Sequence, residues 1–261
     1  MVSGSSNANP SAIVITATVG KPTLKRTLDA VLRQTWADTL ALVVVDGPEY
    51  RDRSRRVVEN YSGESRVQVL ELPQNTGANG YVCHRIYGAV PHLVNQDFIL
   101  YCDDDNWYEP SHVESCVTAC VANNLSWCCT LRNIFKDDAF LCRDECESLG
   151  MWPVWYNPGI FHVDTNCYCL RRDVATRIAS LWHRSRVVDG IVQPSADTEV
   201  CNHLKRHYPA HALVARHSVN YELGSWALSP TPEFFSRGNA EFLRQHDGVL
   251  PWHRARVDDS A

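Results

Sequence analysis

The chain has 261 residues, 44% hydrophobic and 21% charged, with 13 Gly and 13 Pro. That composition excludes wholesale disorder and collagen-like or fibrous repeats, and leaves one α/β domain or two halves sharing one sheet. With 25 Lys and Arg against 30 Asp and Glu, the formal charge is -5, so general attraction to a nucleic-acid backbone or an anionic membrane is not expected.

Residues 1–11, MVSGSSNANPS, have no apolar pattern and read as a disordered tail. From Ala12 the run AIVITATVG predicts a strand ending at a Gly, and Leu24, Leu28, Val31 and Leu32 then recur at helical spacing. Further strands are predicted over 40–45, 67–72 and 98–102, the last running into an acidic turn. Continuous apolar runs suit strands covered on both faces, so a doubly wound, mostly parallel sheet is expected for the first 110 residues. Ligands then collect at the carboxyl ends of those strands. After Pro110, Ser111 and Glu114 read as a capping box, and Val113, Cys116, Val117, Cys120 and Val121 as the apolar stripe of a helix. A strand over 126–131, a loop-rich region with Trp152, Trp155 and Tyr156, and helices near 172–183 and 197–207 complete the pattern, with no internal repeat and no interdomain linker.

The 11 cysteines read as reduced thiols, because no basic n-region followed by an apolar h-region directs the chain to an oxidising compartment. The localisation this implies is cytoplasmic. Cys142 and Cys146, with Cys128 and Cys129 upstream, raise a zinc cluster, but no CxxC pair occurs and small buried thiols account for such residues better. The longest aliphatic runs, such as 41–45, are strand-sized and far short of the roughly 20 apolar residues of a membrane-spanning helix.

Asp103, Asp104 and Asp105 follow directly on the strand FILYC. Three adjacent carboxylates repel unless something positive sits among them, and a hard divalent cation with oxygen ligands answers that; Mg²⁺ or Mn²⁺ keeps positions open for phosphate oxygens. A solvated acidic turn is the plain alternative. An EF-hand is disfavoured, since its spaced ligands, central Gly and terminal Glu are missing.

At this point the order of segments resembles the glycosyltransferases of the GT-A fold, in particular glycosyltransferase family 2. AIVITATVGKPTLKRTLDAVLRQT is similar to the family's opening strand and helix, VVVDG to its second strand, NTGANGYVCHRIYGA to its Asn-x-Gly and Arg-x-x-Gly segment, and YCDDDNWYEP to its DXD stretch with the following Pro. The resemblance covers residues 12–110 well and thins beyond. It implies a Rossmann-like nucleotide-binding half over 12–110 and an acceptor-binding half with C-terminal helices over 111–261. By resemblance Thr16, Thr18 and Asp46 line the nucleotide pocket, Arg85 faces the nucleotide or diphosphate, and Asp103 and Asp104 lie on the donor side. Asp105 and Asp103 are the implied metal ligands, and His217 is a candidate third. One departure is Asn106, where many members carry a further Asp. The family's late catalytic Asp at a helix start corresponds to Asp197 in PSADTEVCNHL, with Asp189 and Asp164 as competitors and an N-cap as its structural reading.

The function implied is metal-dependent, inverting transfer of a hexosyl or deoxyhexosyl unit from a UDP, dTDP or GDP sugar to a hydroxyl of a glycan or other acceptor. Trp152, Trp155 and Tyr156 offer flat faces to an acceptor sugar and Trp226 a cover for the donor, with core packing as the alternative. Asp164, Asn166, Arg171 and Arg172 read either as acceptor contacts or as caps and surface charges. Phe234, Phe235, Phe242 and Leu243 pack on their own sheet or on another subunit. Two other classes compete. A sugar-phosphate nucleotidyltransferase calls for a Gly-rich loop after the first strand, where TATVGKPTLKR has one Gly; a non-catalytic nucleotide-sugar or carbohydrate-binding module calls for a pocket without turnover.

Overall fold

A computed structural model describes residues 9–188, 191–224 and 229–254, with the backbone alone for 185–188 and 191–194. In chain order its strands are β1 (Ala12–Thr18), β2 (Thr39–Val45), β3 (Val67–Glu71), β4 (Phe98–Tyr101), β5 (Trp107–Tyr108), β6 (Trp127–Lys136), β7 (Ala139–Arg143), β8 (Tyr168–Arg171), β9 (Ser185–Val188), β10 (Ile191–Pro194) and β11 (His211–Glu222). The helices are α1 (Leu24–Leu32), α2 (Arg51–Val58), α3 (His84–Ala89), α4 (His112–Ala122), α5 (Arg172–Arg177), α6 (Ala196–His207), α7 (Pro232–Gln245) and α8 (Pro251–Arg254).

Every residue of β1 is buried, as a strand covered on both faces requires. It pairs in parallel with β2 and β4, and β2 with β3, giving the order β3-β2-β1-β4. The chain reverses direction across the sheet at the β1/β4 junction, and the carboxyl ends of β1, β2 and β4 open a crevice there. Leu24, Leu28 and Val31 seat α1 on the sheet as the periodicity predicts. Two residues of the expected disordered tail are instead held in place: the Ser11 amide donates to Asp97 at 2.8 Å and the Trp36 indole donates to the Pro10 carbonyl at 2.8 Å. Residues 1–8 of the expected tail lie outside the described residues.

Beyond β4 the α/β sheet becomes mixed. β8 joins β4 antiparallel, β6 joins β8 antiparallel, β11 runs parallel to β6, and the short β5 closes the edge. β7 folds back on the far half of β6, so the strand predicted over 126–131 continues to Lys136. The helix predicted after Pro110 is α4, with Val113, Cys116, Val117 and Cys120 buried and Val121 at its exposed edge. Its predicted capping box does not form. Ser111 makes no side-chain cap, Glu114 accepts the Thr35 hydroxyl at 2.6 Å, and Gln34 Oε1 accepts the amide of Val113 at 2.9 Å. A side chain from the loop after α1 thus satisfies the helix start that the local sequence was expected to satisfy itself.

A second, smaller core of Leu131, Ile134, Leu149, Phe235, Phe242 and Trp252 fastens α7 and α8 to the far end of β6. Phe235 and Phe242 are therefore spent on their own chain. Trp152 and Trp155 belong here too, with ring centroids 5.5 Å from Trp252 and 5.8 Å from Phe234. Among the described residues no helix is long and apolar enough to cross a membrane.

Candidate active site

A cavity of about 460 Å³ lies at the carboxyl ends of β1, β2 and β4, within the roughly 300–1,000 Å³ usual for small-molecule sites. Its wall includes Thr18, Asp46, Asp103, Asp104, Asp105 and Asp197, which come from four separate stretches of the chain.

Asp46 follows β2 and accepts the amide and hydroxyl of Thr76, each at 2.7 Å, and the amide of Gly77 at 2.9 Å. These bonds lash the loop after β3 over one side of the cavity. Glycine is needed at position 77, because a Cβ there would stand 2.5 Å from the Val82 carbonyl oxygen and 2.8 Å from Asp46 Oδ2.

Asp104 and Asp105 are buried, Asp103 partly so, and all three are held by neighbours. Asp103 accepts the Tyr87 hydroxyl at 2.6 Å and the Asn166 side-chain amide at 2.9 Å, while its own amide donates to Asn166 Oδ1 at 2.6 Å. Asn166 also donates to Asp164 at 2.8 Å, so it clamps the DXD turn to the start of β8. Burial and the neighbouring Asp105 charge push the Asp103 carboxyl up to about 7, against the bonds from Tyr87 and Asn166. Asp104 accepts the Thr18 hydroxyl at 2.7 Å. Lys21 reaches from the loop after β1, its ammonium 2.6 Å from Asp105 Oδ2 and 3.1 Å from Asp104 Oδ1. Burial pulls that amine down, but the Asp104 and Asp105 charges and hydrogen bonds outweigh it and raise it above the ordinary lysine value.

Asp197 faces the same cavity from the first turn of α6. Its carboxylate accepts the Thr165 hydroxyl, and His84 Nε2 stands 3.9 Å away. Burial raises the Asp197 carboxyl above its ordinary value, opposed by the nearby His162, while the Asp164 charge raises it further. Burial holds His84 down at about 4, so at neutral pH the two do not form an ion pair. Asp164 also lines the cavity but is bound by the Arg132 guanidinium at 2.5 Å.

Against this geometry the comparisons with known proteins are direct. The family model described as Glycosyl transferase family 2 matches residues 11–172, more than half of the chain. The chain belongs to glycosyl transferase family 2.

The GT-A architecture expected for this glycosyltransferase is also found in solved structures. S. aureus TarS 1-349 superposes with a TM-score of 0.59 at 12% identity, covering 90% of this chain and 71% of that one. Its complex with UDP gives 0.57 at 12% identity over 92% and 72%, and its complex with UDP-GlcNAc 0.58 at 11% over 90% and 72%. Against the longer S. aureus TarS structure this chain spans 44% of that chain's length. No curated protein matches significantly.

Three sequence candidates stand apart from the cavity wall of this glycosyltransferase. Thr16 is buried one residue before the wall in β1, with no hydrogen-bond partner for its hydroxyl among the described residues. Arg85 turns away: its guanidinium lies 3.4 Å over the Tyr81 ring and donates to the Thr76 carbonyl at 3.3 Å and to His183 at 3.3 Å. It therefore braces the same loop that Asp46 lashes. His217 sits between two register shifts of β11, in the surroundings of Arg143, Asp144 and His253, and burial holds it at about 4. That irregularity turns His217 off the cavity, and Tyr221 further along β11 lines the wall instead. Trp152 and Trp155 are likewise held in the second core, and Arg171 pairs with Asp173 on the surface at 3.1 Å. Asp189 and Trp226 lie outside the described residues.

Lys21, His84, Tyr87 and Thr165 were not singled out by sequence. Lys21 alone left a signal, as the one cation of TATVGK beside the Gly20 bend. The others reach the site only through the pairing of β4 with β8 and the packing of α3.

Proposed function

We propose that this glycosyltransferase moves a hexosyl or deoxyhexosyl unit from a nucleoside diphosphate sugar to a hydroxyl group with inversion, using Mn²⁺ or Mg²⁺ and Asp197 as general base. The observation that carries this is the single cavity in which Asp103–Asp105 and Asp197 converge from β4 and α6. The UDP and UDP-GlcNAc complexes of TarS favour a UDP sugar among the three nucleotide classes. In this reading the segment 12–110 supplies the donor wall, and Asp164, Thr165, Asp197 and Tyr221 of 111–261 the acceptor side.

The donor set fits a hard divalent ion: carboxylate oxygens only, gathered where a protein cation already sits. Asp105, whose bonds among the described residues leave one carboxylate oxygen free, and Asp103 would hold it. Bound there, the ion supplies charge stabilisation to the departing diphosphate. The chain's own part is to position and to take a proton. Thr18 and the loop fixed by Asp46 and Arg85 seat the nucleotide, and Lys21 adds a positive charge beside the phosphates once an ion displaces it from Asp105. Asp197 accepts the acceptor's hydroxyl proton as that oxygen bonds the anomeric carbon. The anomeric C–O bond breaks on the opposite face, and its electron pair leaves on the nucleoside diphosphate.

The test is the anomeric configuration of the product by NMR, with wild type and Asp197→Asn. An inverted product, lost in the variant while donor binding persists, is expected. A retained configuration, or full turnover by Asp197→Asn, contradicts the assignment.

A further inference from the structure

Four cysteines that play no part in the cavity converge behind it. Cys116 and Cys120 stand one turn apart on the buried face of α4. Beneath them Cys128 of β6 and Cys169 of β8 are direct cross-strand partners in the antiparallel ladder. A pair on a helix turn thus lies over a pair on a sheet, which is a four-cornered arrangement. The Sγ atoms of Cys120, Cys128 and Cys169 all lie within 4.8 Å of one another. The Cys128 thiol also donates to the Cys116 carbonyl oxygen at 3.6 Å, which sets Cys116 directly over the group. All four are buried, the most exposed being Cys120 at 2%.

We propose that Cys116, Cys120, Cys128 and Cys169 bind a structural Zn²⁺ ion that staples α4 to β6 and β8. Tetrahedral zinc at about 2.3 Å from each sulfur sets sulfur–sulfur edges of about 3.8 Å, so the three gathered sulfurs draw together and Cys116, whose sulfur is not among the three within 4.8 Å, turns in to complete the site. The donor set decides the metal class. Thiolates select zinc and other soft ions, and there is no carboxylate or water-facing oxygen in the cluster to favour Mg²⁺ or Ca²⁺. Closed four-sulfur sites are structural, because no position is left for substrate; none of the four residues lines the cavity. Binding releases thiol protons. The site was hidden in the sequence because its four ligands come as an i,i+4 helix pair and two lone strand residues; Cys142 and Cys146, the pair whose spacing drew attention, lie toward the second core.

The experiment is metal analysis of the full chain purified in reducing, chelator-free buffer, followed by Co²⁺ substitution. Expected are about one zinc per chain, intense thiolate-to-cobalt charge-transfer bands with the d–d pattern of a tetrahedral site, and loss of both in Cys120→Ser and Cys169→Ser but not in Cys142→Ser. The wild-type cobalt spectrum decides the matter even where a variant fails to fold. Zinc content unchanged in the Cys120→Ser/Cys169→Ser double variant overturns the proposal. So does a metal-free chain whose four thiols stay equally reactive when Zn²⁺ is added, or one in which they are found as disulfides.

Discussion

The Lys21 ammonium stands 2.6 Å from Asp105 Oδ2, a carboxylate that would hold the divalent ion of the proposed mechanism. An ion bound to that oxygen would have to compete with the ammonium. Removing the ammonium in Lys21→Met is expected to lower the half-saturating Mn²⁺ concentration by about 10-fold, equivalent to about 1.4 kcal/mol. The same variant should weaken donor binding once metal is saturating, because the charge displaced toward the phosphates is gone. Metal titration of donor binding separates the two effects; an unchanged Mn²⁺ requirement would show that Lys21 and the ion do not share the position.

Thr165 donates its hydroxyl to the Asp197 carboxylate, a bond that favours the charged form and aims the proposed base. Asp197 is raised above the ordinary carboxyl range by burial, so the rate should fall as pH drops through that raised value and the base becomes protonated. In Thr165→Val the acidic limb should move to higher pH, with kcat reduced about 10-fold and donor KM nearly unchanged. A pH–rate profile identical to wild type would remove Thr165 from the positioning of the base. Asp197→Asn should cost about 10²–10⁴ in kcat.

Gly77 is pressed between Val82 and Asp46. Gly77→Ala must push the loop off the Asp46 carboxylate, and is expected to raise donor Kd by about 10-fold or more while leaving the melting temperature within a few degrees, since the loop is at the surface. Calorimetric donor binding beside a thermal melt checks both halves of that statement.

Arg132 is buried among Asp144, Glu147 and Asp164 at 2.9, 2.6 and 2.5 Å. One guanidinium faces three carboxyls. Burial pushes Glu147 up to about 7 against the pull of Arg132, whereas Arg132 and three backbone amides overcome burial to hold Asp144 low. A folded value above the ordinary 4.5 means that the folded state binds the Glu147 proton more tightly, so this group's contribution to stability falls as pH rises from about 4.5 to about 7. Glu147→Gln should therefore melt higher than wild type at pH 8 and lose that part of the pH dependence. Arg132→Leu leaves buried carboxylates unpaired and should cost about 3–5 kcal/mol. Thermal melts across pH 5 to 8 decide both.

What could be read from the sequence divides along a physical line. β1, β2, β4 and α1 were legible because apolar runs and 3.6-residue spacing are local properties of a buried strand or helix, whereas β3 is a half-exposed edge strand and not covered on both faces as expected. Asp46, the acidic triplet and Asp197 were legible because the family's motifs set them at strand ends and a helix start. The Ser111–Glu114 box failed because the loop after α1 supplied Gln34 as the cap, a tertiary substitution invisible in local spacing. His217 is turned from the cavity wall by irregularities in β11, and Arg85 is drawn off it by the Tyr81 ring. Asn166 was read as a cap or an acceptor contact, whereas only the pairing of β4 with β8 reveals it as the clamp between Asp103 and Asp164.

The central claim is a nucleotide-sugar site whose affinity depends on an ion held by the DXD turn. Calorimetric titration of UDP, dTDP and GDP sugars, with Mn²⁺ and with chelator, on wild type and Asp105→Asn, tests it most directly. The account predicts binding of one nucleotide class, with UDP sugars favoured, that requires Mn²⁺ and is lost in Asp105→Asn. Equal binding with chelator, or a variant that binds as tightly as wild type with Mn²⁺, would contradict it.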